Sequence, residues 1–205
     1  MHIADGFVSL PVAFGGMAVT VAGTAYGLSK LDSEQMPKVA AMASAFFVGS
    51  LIHIPVGAGC SAHLVLSGLA GLVLGPMVFP ALLVGLLLQA VFFEFGGLLS
   101  LGINTMNMAL PGLLVYFVFR RLLRISVKPR LVFCWGFAAG SIAVLLSCLM
   151  LVACLSLSSE NAWPVAFAVL LVHLPIFLLE GLLSGTVVVF LKKVKPELFF
   201  LSYRS

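Results

Sequence analysis

Leu64-Val65-Leu66-Ser67-Gly68-Leu69-Ala70-Gly71-Leu72-Val73-Leu74-Gly75 is an apolar run that ends at Gly75-Pro76, where proline breaks a helix. As a helix it would cover only about 18 Å of the ~30 Å of hydrocarbon in a bilayer. Such a segment survives in a membrane only if protein or a cavity covers its ends. Counted as a span, it gives the chain seven crossings; left out, the chain has six and the two ends fall on one side. The charges decide between these. Apolar runs lie at about 7–29, 39–54, 64–75, 77–95, 108–123, 131–157 and 163–191. With seven crossings and the N-terminus outside, the 30–38 hinge, the turn at Pro76, the 120–130 segment and the tail after residue 191 all fall inside. All 11 Lys and Arg residues then sit on the cytoplasmic side or at its boundary, as the positive-inside rule requires.

Composition points the same way. The chain of 205 residues is 62% hydrophobic and 9% charged, against about 25% charged in soluble domains. We read it as a single all-α integral membrane domain, residues 1–205, with about seven transmembrane helices, one of them short. A net charge of +4 does not mark a nucleic-acid binder, because the basic residues separate apolar runs and do not line one polar face. Cys134, Cys148 and Cys154 lie in apolar runs, where cysteine behaves as a small hydrophobe. With Cys60 they form no CxxC pair, so there is no zinc or redox signature. No Lys or Arg precedes Lys30, so the first run reads as a retained span and not as a secretory leader, with Met1 the mature end.

The outer face collects the polar residues. They are Met1, His2, Asp5, His53, Cys60, His63, Glu94, Asn104, Asn107 and Glu160. Two glycine-rich segments, 55–63 and 96–107, belong to the same face and read as irregular loops over a vestibule. At Met1-His2 the α-amine, the His2 amide nitrogen and His2 Nδ1 can close fused five- and six-membered chelate rings on one metal ion. That puts three nitrogens nearly in a plane and leaves a fourth position. Four such nitrogens suit Ni2+ or Cu2+, and imidazole also suits cobalt. His63, at the loop–helix junction among small neighbours, is the candidate fourth nitrogen.

Other residues have supporting roles open to them. His53 would act structurally or behind the ligands, and Cys60 is a weaker soft-ligand candidate. Asp5 either hydrogen-bonds the amine or caps the first helix. Glu94 would orient its loop or act behind the ligands. Asn104 and Asn107 either cap the fifth span or hold the inserted loops. His173 and Glu180, seven residues apart, share a helix face inside the membrane. They are either a proton relay or inter-helix hydrogen-bonding groups, and Pro175 between them can bend the helix. Gly23–Gly27 and Gly181–Gly185 are GxxxG pairs that allow close helix contact, within the chain or with another subunit.

Met1-His2-Ile3-Ala4-Asp5-Gly6-Phe7, the 52–64 segment ending in His63-Leu64, Phe95-Gly96-Gly97 through Gly102-Ile103-Asn104-Thr105-Met106-Asn107-Met108, and Leu179-Glu180-Gly181 together resemble the CbiM/NikM family. Its members are the membrane substrate-binding (S) components of cobalt and nickel energy-coupling-factor ABC transporters. The resemblance spans the chain. It implies a seven-helix fold whose N-terminus enters the protein beneath two outer loops and binds the ion. It implies Met1, His2 and His63 as ligands, Co2+ or Ni2+ as transported substrate, and no organic cofactor. It also implies residence in the cytoplasmic membrane of a prokaryote. The expected partners are a second membrane (T) subunit, a pair of cytoplasmic ATPases and often a small accessory membrane protein. Ser67 stands where many relatives carry Asn, and Glu94 where others have Asp, His or Gln. With no Walker A sequence, this chain is not expected to hydrolyse ATP itself. The first alternative is a stand-alone proton-coupled metal carrier that relays protons through His173 and Glu180, although no inverted repeat is visible. The second is an intramembrane metalloenzyme, for which no HExxH motif is present.

Overall fold

The computed structural model describes residues 2–51, 53–57, 60–159 and 163–200. In chain order the elements are β1 (His2–Ile3), α1 (Leu10–Ser29), α2 (Met36–Gly49), β2 (His53–Gly57), β3 (Cys60–His63) and α3 (Ser67–Leu74). A 3-10 turn (Gly75–Met77) leads to α4 (Val78–Phe93), α5 (Leu101–Ile125), α6 (Pro129–Ser156), α7 (Trp163–Val194) and a short α8 (Glu197–Phe200). Among the described residues, five stretches are long and apolar enough to cross a membrane: Leu10–Ser29, Ser67–Phe93, Leu101–Ile125, Pro129–Ser156 and Phe167–Val194. α2, apolar but only 14 residues long, falls short of that length.

Ser67–Phe93 is not one rod. Gly75 has φ +58, which ends α3, and Pro76 follows. The chain then doubles back, because the Ser67 carbonyl and the Val78 side chain both stand against Gly112 of α5. The short run is therefore a half-length helix, and α4 makes the return after the turn at Gly75–Met77. Its ends are covered as the physics requires: every residue of α3 is buried. Gly71 allows it to touch α5, since a Cβ there would lie 2.0 Å from the Gly112 carbonyl oxygen.

The GxxxG pairs act inside the chain. Gly23 and Gly27 of α1 face Phe79, Pro76 and Pro80, and Gly181 and Gly185 of α7 face Phe137, Ser141 and Phe133 of α6. α7 runs from Trp163 to Val194 on both sides of Pro175. Basic residues gather at one end of the bundle. Gln35, Lys38, Tyr116, Arg120 and Leu198 line one small pocket there. The Lys192 ammonium donates to the Leu123 and Ser126 carbonyls at the C-terminus of α5, where a cation complements the helix dipole.

Three boundaries depart from the sequence reading. The second span was expected to run to residue 54, but α2 stops at Gly49 and Ser50 turns its hydroxyl back to the Phe46 carbonyl, 2.7 Å away. Within the 55–63 segment, expected as an irregular loop, residues 55–57 and Cys60–His63 are extended, and with residues 53–54 they form the antiparallel pair β2 and β3. The 96–107 segment is irregular only to Ser100. From Leu101 it is helix, which places Asn104 and Asn107 inside α5 and not ahead of it.

Candidate metal centre

β1 is two residues long and cannot stand alone. It is held on one edge by β3, with His2 opposite Ser61 and Ile3 opposite Cys60, giving the sheet order β1-β3-β2. On the other edge Asn104 takes the place of a strand. The Ile3 N–H donates to Asn104 Oδ1 at 2.8 Å, and Asn104 Nδ2 donates to the Ile3 carbonyl at 2.9 Å. The Ile3 side chain is fully buried.

Asp5 locks the next residues. Its N–H donates to the Gly96 carbonyl at 2.8 Å. Its carboxylate accepts the Ser100 N–H at 2.7 Å and the Leu99 N–H at 3.3 Å. Asp5 therefore caps α5, not α1, and this is why helix starts at Leu101: an anion sits on the N–H groups of that terminus. Gly97, at φ +117, leaves room for it, since a Cβ would lie 2.3 Å from the Asp5 carboxyl.

These contacts carry His2 into the protein, where it is 2% exposed, against His63, which is 3% exposed. The two imidazoles stack with centroids 4.5 Å apart and planes 29° apart. Phe95 lies 6.2 Å from the His2 ring and Phe46 6.4 Å from the His63 ring, closing the site with apolar edges. His63 Nδ1 is 2.6 Å from the Leu64 carbonyl oxygen. A carbonyl only accepts, so Nδ1 carries the proton and Nε2 presents its lone pair. That Nε2 is buried with no hydrogen-bond partner among the described residues. Burial pushes the His63 imidazole down to about 4, against the raising effect of the Leu64 bond, and the nearby His173 lowers it further. At neutral pH it is an uncharged, oriented donor.

The remaining candidates separate into groups. Met1 and Glu160 lie outside the described residues. The backbone of His53 pairs with His63 across β2 and β3, and that of Cys60 pairs with Ile3. Glu94 is exposed and takes the left-handed conformation (φ +57) that ends α4. Its backbone turn, not its carboxylate, aims the following Phe95 at His2. Asn107 turns to α6, where the Cys154 thiol lies 3.6 Å from its Oδ1. Ser67 is buried at the start of α3.

His173 and Glu180 are both buried on α7 but have separate partners. His173 Nδ1 is 2.7 Å from the Val169 carbonyl of its own helix. Glu180 Oε1 accepts the Val65 N–H and, at 2.8 Å, the Leu66 N–H, just past His63. Sequence reading did not find Phe46, Phe95 or this anchoring role of Glu180. Among the described residues no group of three or more His, Cys, Asp or Glu side chains is arranged to hold a metal. The two imidazoles of His2 and His63 are the described side-chain donors brought together here.

The family model described as cobalt uptake substrate-specific transmembrane region matches residues 2–198. A Haemophilus influenzae protein named for metal transport is 40% identical over 200 residues, covering 96% of each chain. The fused nickel transport protein NikMN of Rhodobacter capsulatus is 38% identical over 120 residues, 56% of this chain and 35% of that one. A crystal structure described as a transition metal transporter superposes with a TM-score of 0.81 at 25% identity, covering 95% of this chain and 93% of that one.

Proposed function

The chain belongs to the CbiM family of substrate-specific transmembrane components for cobalt uptake, and from that premise we propose that it captures Co2+ or Ni2+ with high affinity for an ATP-driven energy-coupling-factor importer. The ion is bound by the Met1 amine, the His2 amide nitrogen, which releases its proton as the metal bond forms, the His2 imidazole and His63 Nε2. One observation carries this reading: two buried imidazoles stack at 4.5 Å, and the outer nitrogen of one has its lone pair free and its tautomer fixed. Two imidazoles and two main-chain nitrogens make a four-nitrogen set suited to square-planar Ni2+, and imidazole donors also suit cobalt. The N-terminus faces out and the C-terminus in, a reading supported by the basic residues at the opposite end of the bundle from Asp5. The membrane is the cytoplasmic membrane of a prokaryote.

Energy comes from elsewhere. The sequence has no phosphate-binding loop, so hydrolysis belongs to a pair of cytoplasmic ATPases joined through a membrane coupling subunit, with a small accessory membrane protein as a further partner. The rival reading, a proton-coupled carrier, needs His173 and Glu180 free to exchange protons. One atom of each, His173 Nδ1 and Glu180 Oε1, is instead tied to main-chain groups, while His173 Nε2 and Glu180 Oε2 have no hydrogen-bond partner among the described residues, so the proteoliposome experiment decides between the two readings. Proteoliposomes test this. Uptake of radioactive Ni2+ or Co2+ is expected only with the ATPase and coupling subunits and ATP; uptake by this chain alone under a pH gradient would overturn the proposal.

A further inference from the structure

Glu180 is buried with 0% exposure on α7, and the metal-capture reading gives it nothing to do. Its Oε1 accepts the N–H groups of Val65 and Leu66. The peptide between Leu64 and Val65 is one rigid plane. The N–H edge of that plane donates to Glu180, and the C=O edge accepts the proton of His63 Nδ1 at 2.6 Å. Carboxylate, peptide and imidazole thus form a single hydrogen-bonded line that ends at His63 Nε2.

Metal-bound histidines usually donate their second ring N–H to a carboxylate or a carbonyl, which fixes the tautomer and raises the basicity of the ligating nitrogen. Here the two arrangements are in series. The accepting carboxyl oxygen polarises the peptide, and the polarised carbonyl is the stronger acceptor for the imidazole. Glu180 also holds the turn in shape. Leu66 sits at φ +51, a conformation that branched and bulky residues avoid unless held there. No side chain from α3 or its own flanks caps the start of that helix.

We propose that Glu180 is a positioning residue of the metal site, acting on His63 through the Leu64–Val65 peptide; this rests on His63 being a ligand. Glu180→Ala and Glu180→Asp, which remove or shorten the acceptor, weaken Ni2+ binding by about 10- to 100-fold. Glu180→Gln keeps an acceptor without the charge and loses less. A proton relay would leave Ni2+ affinity unchanged in all three variants, its effect falling on transport alone.

The experiment is chelator competition with Ni2+ on detergent-purified, monodisperse wild type, the three Glu180 variants, His63→Ala, and the double variant with Glu180→Ala. The expected result is a loss for Glu180→Ala that disappears in the His63→Ala background. Unaltered affinity in Glu180→Ala, or a loss that persists in full without His63, overturns the proposal. His63→Ala alone reports on the site reading: binding unchanged there would refute the ligand assignment itself. Where Glu180→Ala does not fold, Glu180→Gln carries the test through the 15N resonances of the His63 ring in the metal-free protein. They are expected to shift when the carboxyl acceptor is replaced by the amide, and unshifted resonances overturn the proposal.

Discussion

The imidazole of His2 lies stacked on that of His63, 61 positions later in the chain, with centroids 4.5 Å apart. Neither ring arrives by local structure. His2 is drawn in by β3, Asn104 and the α5 cap at Asp5, and His63 ends a hairpin that α7 holds from below. The site is an end-to-middle contact whose precision depends on residues that touch no ion.

Asn104 is the clearest such residue. Asn104→Ala removes both hydrogen bonds to Ile3, and Asn104→Asp keeps the acceptor but loses the donor. Both are expected to leave the bundle folded, judged by far-UV circular dichroism. Both should weaken Ni2+ binding by about 10- to 100-fold, the range found for residues that orient ligands. Titration by chelator competition checks it.

The Asp5–Gly97 contact predicts a contrast between two glycines that both have positive φ. Gly6 has open space around it, whereas a Cβ at Gly97 would meet the Asp5 carboxyl at 2.3 Å. Gly97→Ala should expel Asp5, uncap α5 and lower the thermal midpoint and metal affinity together. Gly6→Ala should cost only backbone strain. Asp5→Ala isolates the cap, worth about 0.5–2 kcal/mol by comparison with other caps.

The pH dependence follows from which nitrogens hold protons. His63, pushed down to about 4, is already neutral at pH 5 and adds no proton competition above that. The Met1 amine and the His2 imidazole do, with reference values of about 7.7–8.0 and 6.5. Metal affinity is expected to fall as pH drops below about 8, where the amine takes up its proton, and more steeply below about 6.5, where the imidazole does. Affinity that stays flat to pH 5 would exclude an amine–imidazole site. The stability term has the same sign. A histidine whose pKa is lowered on folding contributes fully above its unfolded value, and that contribution is lost as pH falls from about 6.5 toward 4. The thermal midpoint of metal-free protein, followed from pH 7 to pH 4, should fall less for His63→Ala than for wild type.

Much of the bundle was legible because lipid imposes long apolar runs and sorts charge by side; Gly75-Pro76 even marked the reversal of the half-length helix. The hairpin was not legible. His53–Gly57 and Cys60–His63 are short and rich in small residues, and their third strand comes from the chain's start, so no local period announces them. Glu180 was paired in sequence with His173 because seven residues put them on one helix face. Its actual partners lie 114 and 115 positions away. Asn104 was legible as a loop-holding residue, but its position inside α5 depended on Asp5, a long-range cap that no local signal carries. Phe46 and Phe95 looked like any other apolar residues in a chain made of them.

Orientation has its own test. Single cysteines at Leu98 and Ser33, in a background without native cysteines, should react with an impermeant maleimide from opposite sides. Leu98 should label in intact cells and Ser33 only in inverted vesicles. The reverse pattern would turn the topology over.

The central claim is that the chain's own start chelates the ion, and one residue added before Met1 tests it most directly. Intact mass first establishes that wild type carries Met1 with a free amine and that the variant retains its added glycine. Ni2+ and Co2+ titrations on the two purified proteins then decide. Tight stoichiometric binding is expected for wild type and its loss for the extended protein, with circular dichroism and thermal midpoint unchanged. Equal affinity in the two proteins would contradict it and would send the search for the ligands elsewhere in the chain.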